Sequence, residues 1–105
     1  MFSIVVRFDL KDAAAAGEFD ELVAAMLPEI AAKESGTVVY ATHTVEGEPL
    51  ARVFYELYAD HEAHAAHEQQ QHMQAFFAAR PRLVAETRAE RLTLGPETGA
   101  AGPGV

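Results

Sequence analysis

Residues 37–58 read TVVYATHTVEGEPLARVFYELY, and the fold turns on how they divide. Thr37 to Val45 is rich in Thr, Val and Tyr, residues that fit a pleated, half-buried surface. Leu50 to Tyr58 is denser still in Val, Phe, Tyr and Leu. Between them, Glu46-Gly47-Glu48-Pro49 supplies the turn residues of a hairpin. The segment therefore predicts two antiparallel neighbouring strands, and the flanking chain must cover or extend that pair.

On the N-terminal side, Lys11 to Glu34 predicts a helix. Phe19, Leu22, Val23, Met26, Leu27 and Ile30 recur at the spacing of one helix face. Pro28 falls inside that pattern, where a kink or short break is expected. Gly36 marks the stop, and Lys33 sits favourably near the carbonyl end. Further out, Phe2, Ile4, Val6 and Phe8 alternate along a strand over Phe2 to Leu10. Val5 makes its other face partly apolar, as in a strand covered on both sides.

On the C-terminal side, Asp60 is a natural N-cap for a second helix running toward Phe77. A break is expected around Gln69-Gln70-Gln71, and Pro81 is expected to end the helical region. Glu86 to Leu94 predicts a last strand, polar enough to lie at an edge. Residues 95–105, GPETGAAGPGV, predict a disordered tail beyond a domain of residues 1–94.

The resulting order is β-α-β-β-α-β. Two crossovers around one hairpin give an α+β, ferredoxin-like unit with a four-stranded antiparallel sheet and helices on one face. The first and third strands would be central, and they are the most apolar. The open sheet face would carry Val5, Phe54 and Tyr58, or the opposite set. Such a face calls for a partner, and a homodimer is expected.

A chain of 105 residues is one domain. Its formal charge of −8 offers no basic stripe for nucleic acid or anionic membrane surfaces. No cysteine is present, which removes disulfides and thiolate chemistry and fits a cytoplasmic protein. The first residues, MFSIVVRFDLKD, lack the basic start and uninterrupted apolar run of a signal peptide.

Four of the five histidines lie between His61 and His72. At ~100° per residue, His67 shares the apolar face of the second helix with Ala63, Ala66, Gln70, Met73 and Phe77. It would point at the third strand, which holds Glu56. A carboxylate in a central strand is costly unless paired. Glu56 would either orient His67, leaving an imidazole held for general base or acid work, or make an ion pair with Arg7, Arg88 or Arg91. His61 and His64 fall among Glu62, Glu68 and Gln71 and would be solvated. His72 would face outward on a straight helix, and a break at the glutamines decides its direction. Neither His61/His64 nor His67/His72 has the spacing of HExxH, and no third ligand is evident, so no metal site is expected. Tyr40, Tyr55 and Tyr58 with Phe54, Phe76 and Phe77 would line an aromatic pocket or simply pack the core. The phosphate-binding patterns GxGxxG and GxxxxGK are both absent.

Glu34-Ser35-Gly36-Thr37-Val38-Val39-Tyr40, Phe54-Tyr55-Glu56-Leu57-Tyr58 with Asp60 and His67, and the segment AHEQQQHMQAFF from Ala66 to Phe77 resemble the antibiotic biosynthesis monooxygenase family. The resemblance covers about residues 1–94. It implies a dimeric α+β barrel of ferredoxin-like subunits. It also implies a cofactor-independent monooxygenase acting with O₂ on a small phenolic or quinol-type aromatic. Haem degradation and isomerase roles also occur in the family, and the absence of tryptophan speaks against the haem-degrading branch. Carried onto this chain, Glu56, His67 and His72 match recurrent polar positions. His67 would deprotonate the phenol and Glu56 would hold the imidazolium. Tyr40, Tyr55, Tyr58, His72 and Phe76 would contact the substrate. A non-catalytic barrel that binds an apolar ligand or serves a stress response is the alternative from another class. An isomerase on the same scaffold is a third.

Overall fold

The computed structural model describes residues 1–97; most of the tail expected to be disordered, residues 98–105, lies outside the described residues. The elements run β1 (Phe2–Leu10), α1 (Ala13–Lys33), β2 (Thr37–Val45), β3 (Glu48–Tyr58), α2 (His61–Gln69), a 3₁₀ turn (Gln71–Met73), α3 (Gln74–Leu83) and β4 (Val84–Thr93). The sheet is antiparallel with order β2-β3-β1-β4, so β1 and β3 are central and polar β4 is an edge. This is the ferredoxin-like arrangement expected from the order of elements.

Asp12 caps α1 by accepting the Ala15 N–H at 2.8 Å, so the helix begins just after Lys11. Pro28 does not interrupt it. That proline lies on the solvent face, and the carbonyl of Ala24, which loses its donor, is on an exposed residue that water can reach. Pro81 likewise sits inside α3 and is exposed, and the helix runs two residues further, to Leu83. Lys11 secures that end: its backbone N–H donates to the Leu83 carbonyl and its Nζ to the Pro81 carbonyl. The hairpin turn is shorter than expected, because β3 already begins at Glu48; Gly47 takes φ +78°, where a side chain would be strained.

The register sorts the two faces of the sheet. Ile4 pairs with Glu56, which pairs with Tyr40; Val6 pairs with Phe54; Phe2 pairs with Tyr58. All of these face the helices. Phe8, Phe19, Phe54 and Phe76 form the centre of the core, with ring centroids 4.9–6.2 Å apart. The opposite face carries Val5, Val53, Tyr55, Leu57, Val39 and Ala41. Of the set expected to be open, Val5 is therefore placed correctly, whereas Phe54 and Tyr58 are buried against the helices. Alternation fixes which residues travel together, but only the packing fixes which set is covered.

Candidate functional site

The α1–β2 junction builds one half of the site. Glu34 leaves the helix as its C-cap, and its carbonyl accepts from Thr37 N–H, closing a tight turn. Gly36 in that turn lies so close to α2 that a Cβ there would stand 2.6 Å from the Cβ of Ala63. This contact brings α2 down over Glu34. The Glu34 carboxylate is buried and accepts three hydrogen bonds: from Thr37 Oγ1 at 2.8 Å, His67 Nδ1 at 2.7 Å and His72 Nε2 at 2.5 Å. Burial alone would raise its pKa, but the bonds from His72, Thr37 and His67 outweigh it and hold the group below the usual carboxylate range.

His72 reaches Glu34 because α2 ends. Gln70 adopts an extended conformation (φ −66°, ψ 139°), and the 3₁₀ turn that follows rotates His72 inward. On a continuous helix His67 and His72 would stand ~140° apart. The break places both on one carboxylate.

Glu56 forms the other half. It is buried in the middle of β3 and accepts a short hydrogen bond from the Tyr58 hydroxyl. Burial raises its pKa; the Tyr58 bond and the nearby Arg80 charge only partly oppose this. The two carboxyls are thus driven in opposite directions, Glu34 toward the anion and Glu56 toward the acid. The expectation that Glu56 holds His67 is corrected: His67 is held by Glu34. The alternative ion pair is absent too, since among the described residues Arg7 pairs with Asp9 and Glu48, Arg88 pairs with Glu90, and Arg91 lies over the Phe2 ring.

Between these halves lies a cavity of about 240 Å³, walled by β1, β4, α2 and α3 and by Tyr40 and Glu56. Its aromatic wall is Phe8, Phe76, Phe77 and Tyr40, and its polar wall includes His67, Glu56, His64, Glu68, Arg80 and Arg91. His67 engages Glu34 through Nδ1, so Nε2 is left for the cavity. Among the described residues no buried side-chain polar atom lacks a partner, so Nε2, which bonds to no protein group, reaches open space. In the neutral imidazole whose Nδ1–H donates to an ionised Glu34, Nε2 presents a lone pair, the tautomer a base requires. Tyr40 lines the same space, and burial above all keeps its hydroxyl protonated.

The remaining expected site residues separate. Tyr40 and Phe76 line the cavity with His67 and Glu56. Tyr58 does not; it is fully buried and serves Glu56. His72 stands behind Glu34, outside the cavity wall. Tyr55 points to the opposite face of the sheet, since it alternates with Glu56 along β3. His64, expected in solvent, lines the cavity and packs on Tyr58 at 5.0 Å and Phe2 at 5.5 Å; His61 is exposed but stacks on Phe2 at 4.1 Å. The first strand begins under α2, so a wider arc of that helix is covered than its apolar stripe suggests. Glu34 was not among the expected residues. Its signal was electrostatic: a carboxylate at the C-terminal end of a helix opposes the helix dipole and needs compensating donors.

Among the described residues no three His, Asp or Glu side chains are arranged to hold a metal ion, and no helix is long and apolar enough to cross a membrane. Several solved structures share the fold. A candidate antibiotic biosynthesis monooxygenase from Caulobacter crescentus CB15 aligns with a TM-score of 0.82 at 24% identity, over 90% of each chain. A second, from Deinococcus radiodurans, gives 0.81 at 16% identity, over 97% of this chain and 100% of the other. A candidate monooxygenase from Lactobacillus acidophilus gives 0.81 at 23% identity over 88% of this chain, which spans only 43% of that larger one. At these identities the likeness is one of fold. No curated protein sequence matches. The family model for antibiotic biosynthesis monooxygenase matches residues 1–79, three quarters of the sequence, and on that match the chain belongs to the antibiotic biosynthesis monooxygenase family.

Proposed function

We propose that the chain is a monooxygenase that uses O₂ on a small phenolic or quinol-type aromatic, without metal or organic cofactor. The observation that carries this reading is the cavity itself: aromatic walls, the Nε2 of His67 on one side and the raised-pKa carboxyl of Glu56 on the other. Its volume, a little under the ~300 Å³ at the small end of ligand sites, suits one or two fused rings.

In this mechanism His67 Nε2 takes the phenolic proton, and Glu34 stabilises the imidazolium through Nδ1–H. Glu56 donates a hydrogen bond to a substrate oxygen. The phenolate passes one electron to O₂, and the resulting radical and superoxide couple at a ring carbon. The imidazolium returns its proton to the peroxide. Loss of the ring C–H proton then cleaves the O–O bond and expels hydroxide, which leaves with that proton as water. For a quinol the sum is quinol plus O₂ giving hydroxyquinone plus water. One oxygen atom enters the ring and the other is reduced to water.

Oxygen uptake with menadiol-type quinols, corrected for spontaneous oxidation, tests the reading. The His67→Ala variant is expected to lose about 10²–10⁴ in rate; equal rates in both proteins would sink the mechanism. A non-catalytic apolar-ligand barrel would leave Glu56 paired with an arginine and His67 without an open cavity, and neither feature is present among the described residues. An isomerase would use the same histidine without oxygen, and turnover under anaerobic conditions would favour it. We further propose that two chains pair through the sheet face that carries Val5, Val53 and Tyr55.

A further inference from the structure

The chain holds 16 acidic side chains against 8 lysines and arginines, so a cation has ample choice of partner. Six of the eight take one. Arg7, Arg52, Arg82, Arg88 and Lys33 pair with carboxylates, and Lys11 donates to a carbonyl. Arg80 and Arg91 have no such partner among the described residues, and both line the one cavity that holds His67 and Glu56.

They occupy different ends of it. Arg91 is exposed and lies over Phe2, with its Cζ 4.7 Å from the ring centroid. Arg80 is half-buried and surrounded by aromatic rings: its Cζ stands 5.1 Å from the Phe8 centroid, 5.9 Å from Phe76 and 6.0 Å from Phe77. Those contacts pack the guanidinium among apolar rings and lower its hydration, while its N–H groups remain its polar part. None of its nitrogens is both buried and unpartnered, so they reach open space; Arg80 lines this cavity and also a neighbouring one that holds Glu86, with which it forms no ion pair among the described residues. A planar fork of donors held rigid in a partly dry site is matched by a carboxylate. The acids nearby do not fill that role. Glu56 is biased toward its neutral form by burial, and although the Arg80 charge acts on it across the cavity, the two form no ion pair. Glu68 is exposed, and its carboxylate stands 3.9 Å from His64 Nδ1 rather than at Arg80.

We infer that Arg80 anchors a carboxylate on the aromatic ligand, so that the cavity selects hydroxyaryl carboxylates over uncharged phenols. The inference rests on the cavity's being the ligand site proposed above, but not on any turnover. The ring would lie along the Phe8–Phe76–Phe77 wall, with its hydroxyl at His67 and its carboxylate at Arg80.

Fluorescence titration with three matched probes tests it: 6-hydroxy-2-naphthoate, its carboxamide and 2-naphthol. Wild type is expected to bind the carboxylate about 10- to 100-fold more tightly than the carboxamide, the range of one charge-assisted hydrogen-bonded pair. Arg80→Met should bring the two within about two-fold while leaving 2-naphthol unchanged, and Arg91→Gln should keep the preference. Equal binding of carboxylate and carboxamide by wild type overturns the inference. So does failure of all three probes to bind, a preference that survives Arg80→Met, or one abolished only by Arg91→Gln. If Arg80→Met does not fold, Arg80→Lys replaces it; a preference undiminished without the fork would count against the anchor. Carboxylate preference without oxygen uptake would uphold Arg80 and sink the monooxygenase reading. Uptake with uncharged quinols and no preference would do the reverse.

Discussion

Replacing Glu34 by glutamine should disable His67 without touching the cavity. The carboxylate accepts from Thr37, His67 and His72 at 2.8, 2.7 and 2.5 Å. An amide has one acceptor oxygen and one donor nitrogen, so it cannot accept from both imidazoles. If its NH₂ faces His67, Nδ1 must become the acceptor and the proton moves to Nε2, where the lone pair is needed. If it faces His72, His67 keeps its tautomer but loses the charge that stabilises the imidazolium. Hydrogen bonds to a charged group contribute about 1.5–3 kcal/mol and neutral ones about 0.5–1.5. Three bonds weakened by ~1 kcal/mol each give a loss of about 2–3 kcal/mol. For a domain of this size that lowers Tm by about 10–20 °C. The rate with quinol and O₂ should fall by about 10²–10³, as expected when a base is held in the wrong tautomer or left without its counter-charge. Oxygen uptake at saturating quinol, calorimetric unfolding and imidazole ¹⁵N spectra read the three effects. A rate within three-fold of wild type, with the His67 ¹⁵N pattern unchanged, would refute the assignment of Glu34 as its holder. The pH dependence is fixed in sign. Although burial works against it, Glu34 has a folded pKa below its unfolded one, so its stabilisation is present above the unfolded value and is lost as pH falls through the folded value. The stability difference between wild type and Glu34→Gln should therefore shrink in acid.

Three further outcomes follow from the same contacts. Glu56 has a raised folded pKa through burial, so its contribution is present below the unfolded value and lost as pH rises through the folded one; Glu56→Gln should be the more stable protein at neutral pH, with the gap closing below about pH 4, as Tm measured across pH will show. Gly36→Ala drives a Cβ to 2.6 Å from Ala63 and should cost about 1–3 kcal/mol in denaturant unfolding, with Ala63→Gly restoring most of it; additive losses in the double variant would contradict the contact. If two chains pair through the open sheet face, Tyr55→Arg should give a monomer in sedimentation, and an unchanged dimer would place the interface elsewhere.

Much of the architecture was legible because it depends on local rules. Alternation in Phe2–Phe8, the stripe from Phe19 to Ile30 and the hairpin around Gly47 gave three strands and the first helix, and the Asp60 cap and the polar stretch from Glu86 added the second helical region and the edge strand. The first helix is not broken at Pro28 and α3 does not end at Pro81 for one reason: each lies on a solvent face, where a lost backbone hydrogen bond is taken up by water or tolerated near a helix end. The site was legible by halves. His67 could be pointed inward by helical phase, and Glu56 could be singled out as a buried carboxylate. Their pairing could not be read, because Glu34 meets His67 across 33 positions of sequence through a helix end that phase arithmetic does not reach.

The sequence by itself determined the order of elements, the family, the apolar stripes and the inward direction of His67, all of which rest on short-range patterns. The tertiary structure decided which sheet face is covered, which carboxylate holds His67, where His72 turns after Gln70 and which two arginines stay unpaired. Those outcomes depend on contacts between segments far apart in the chain. A three-residue turn at Glu34-Ser35-Gly36, pressed against Ala63 of the second helix, sets the geometry on which the proposed chemistry depends.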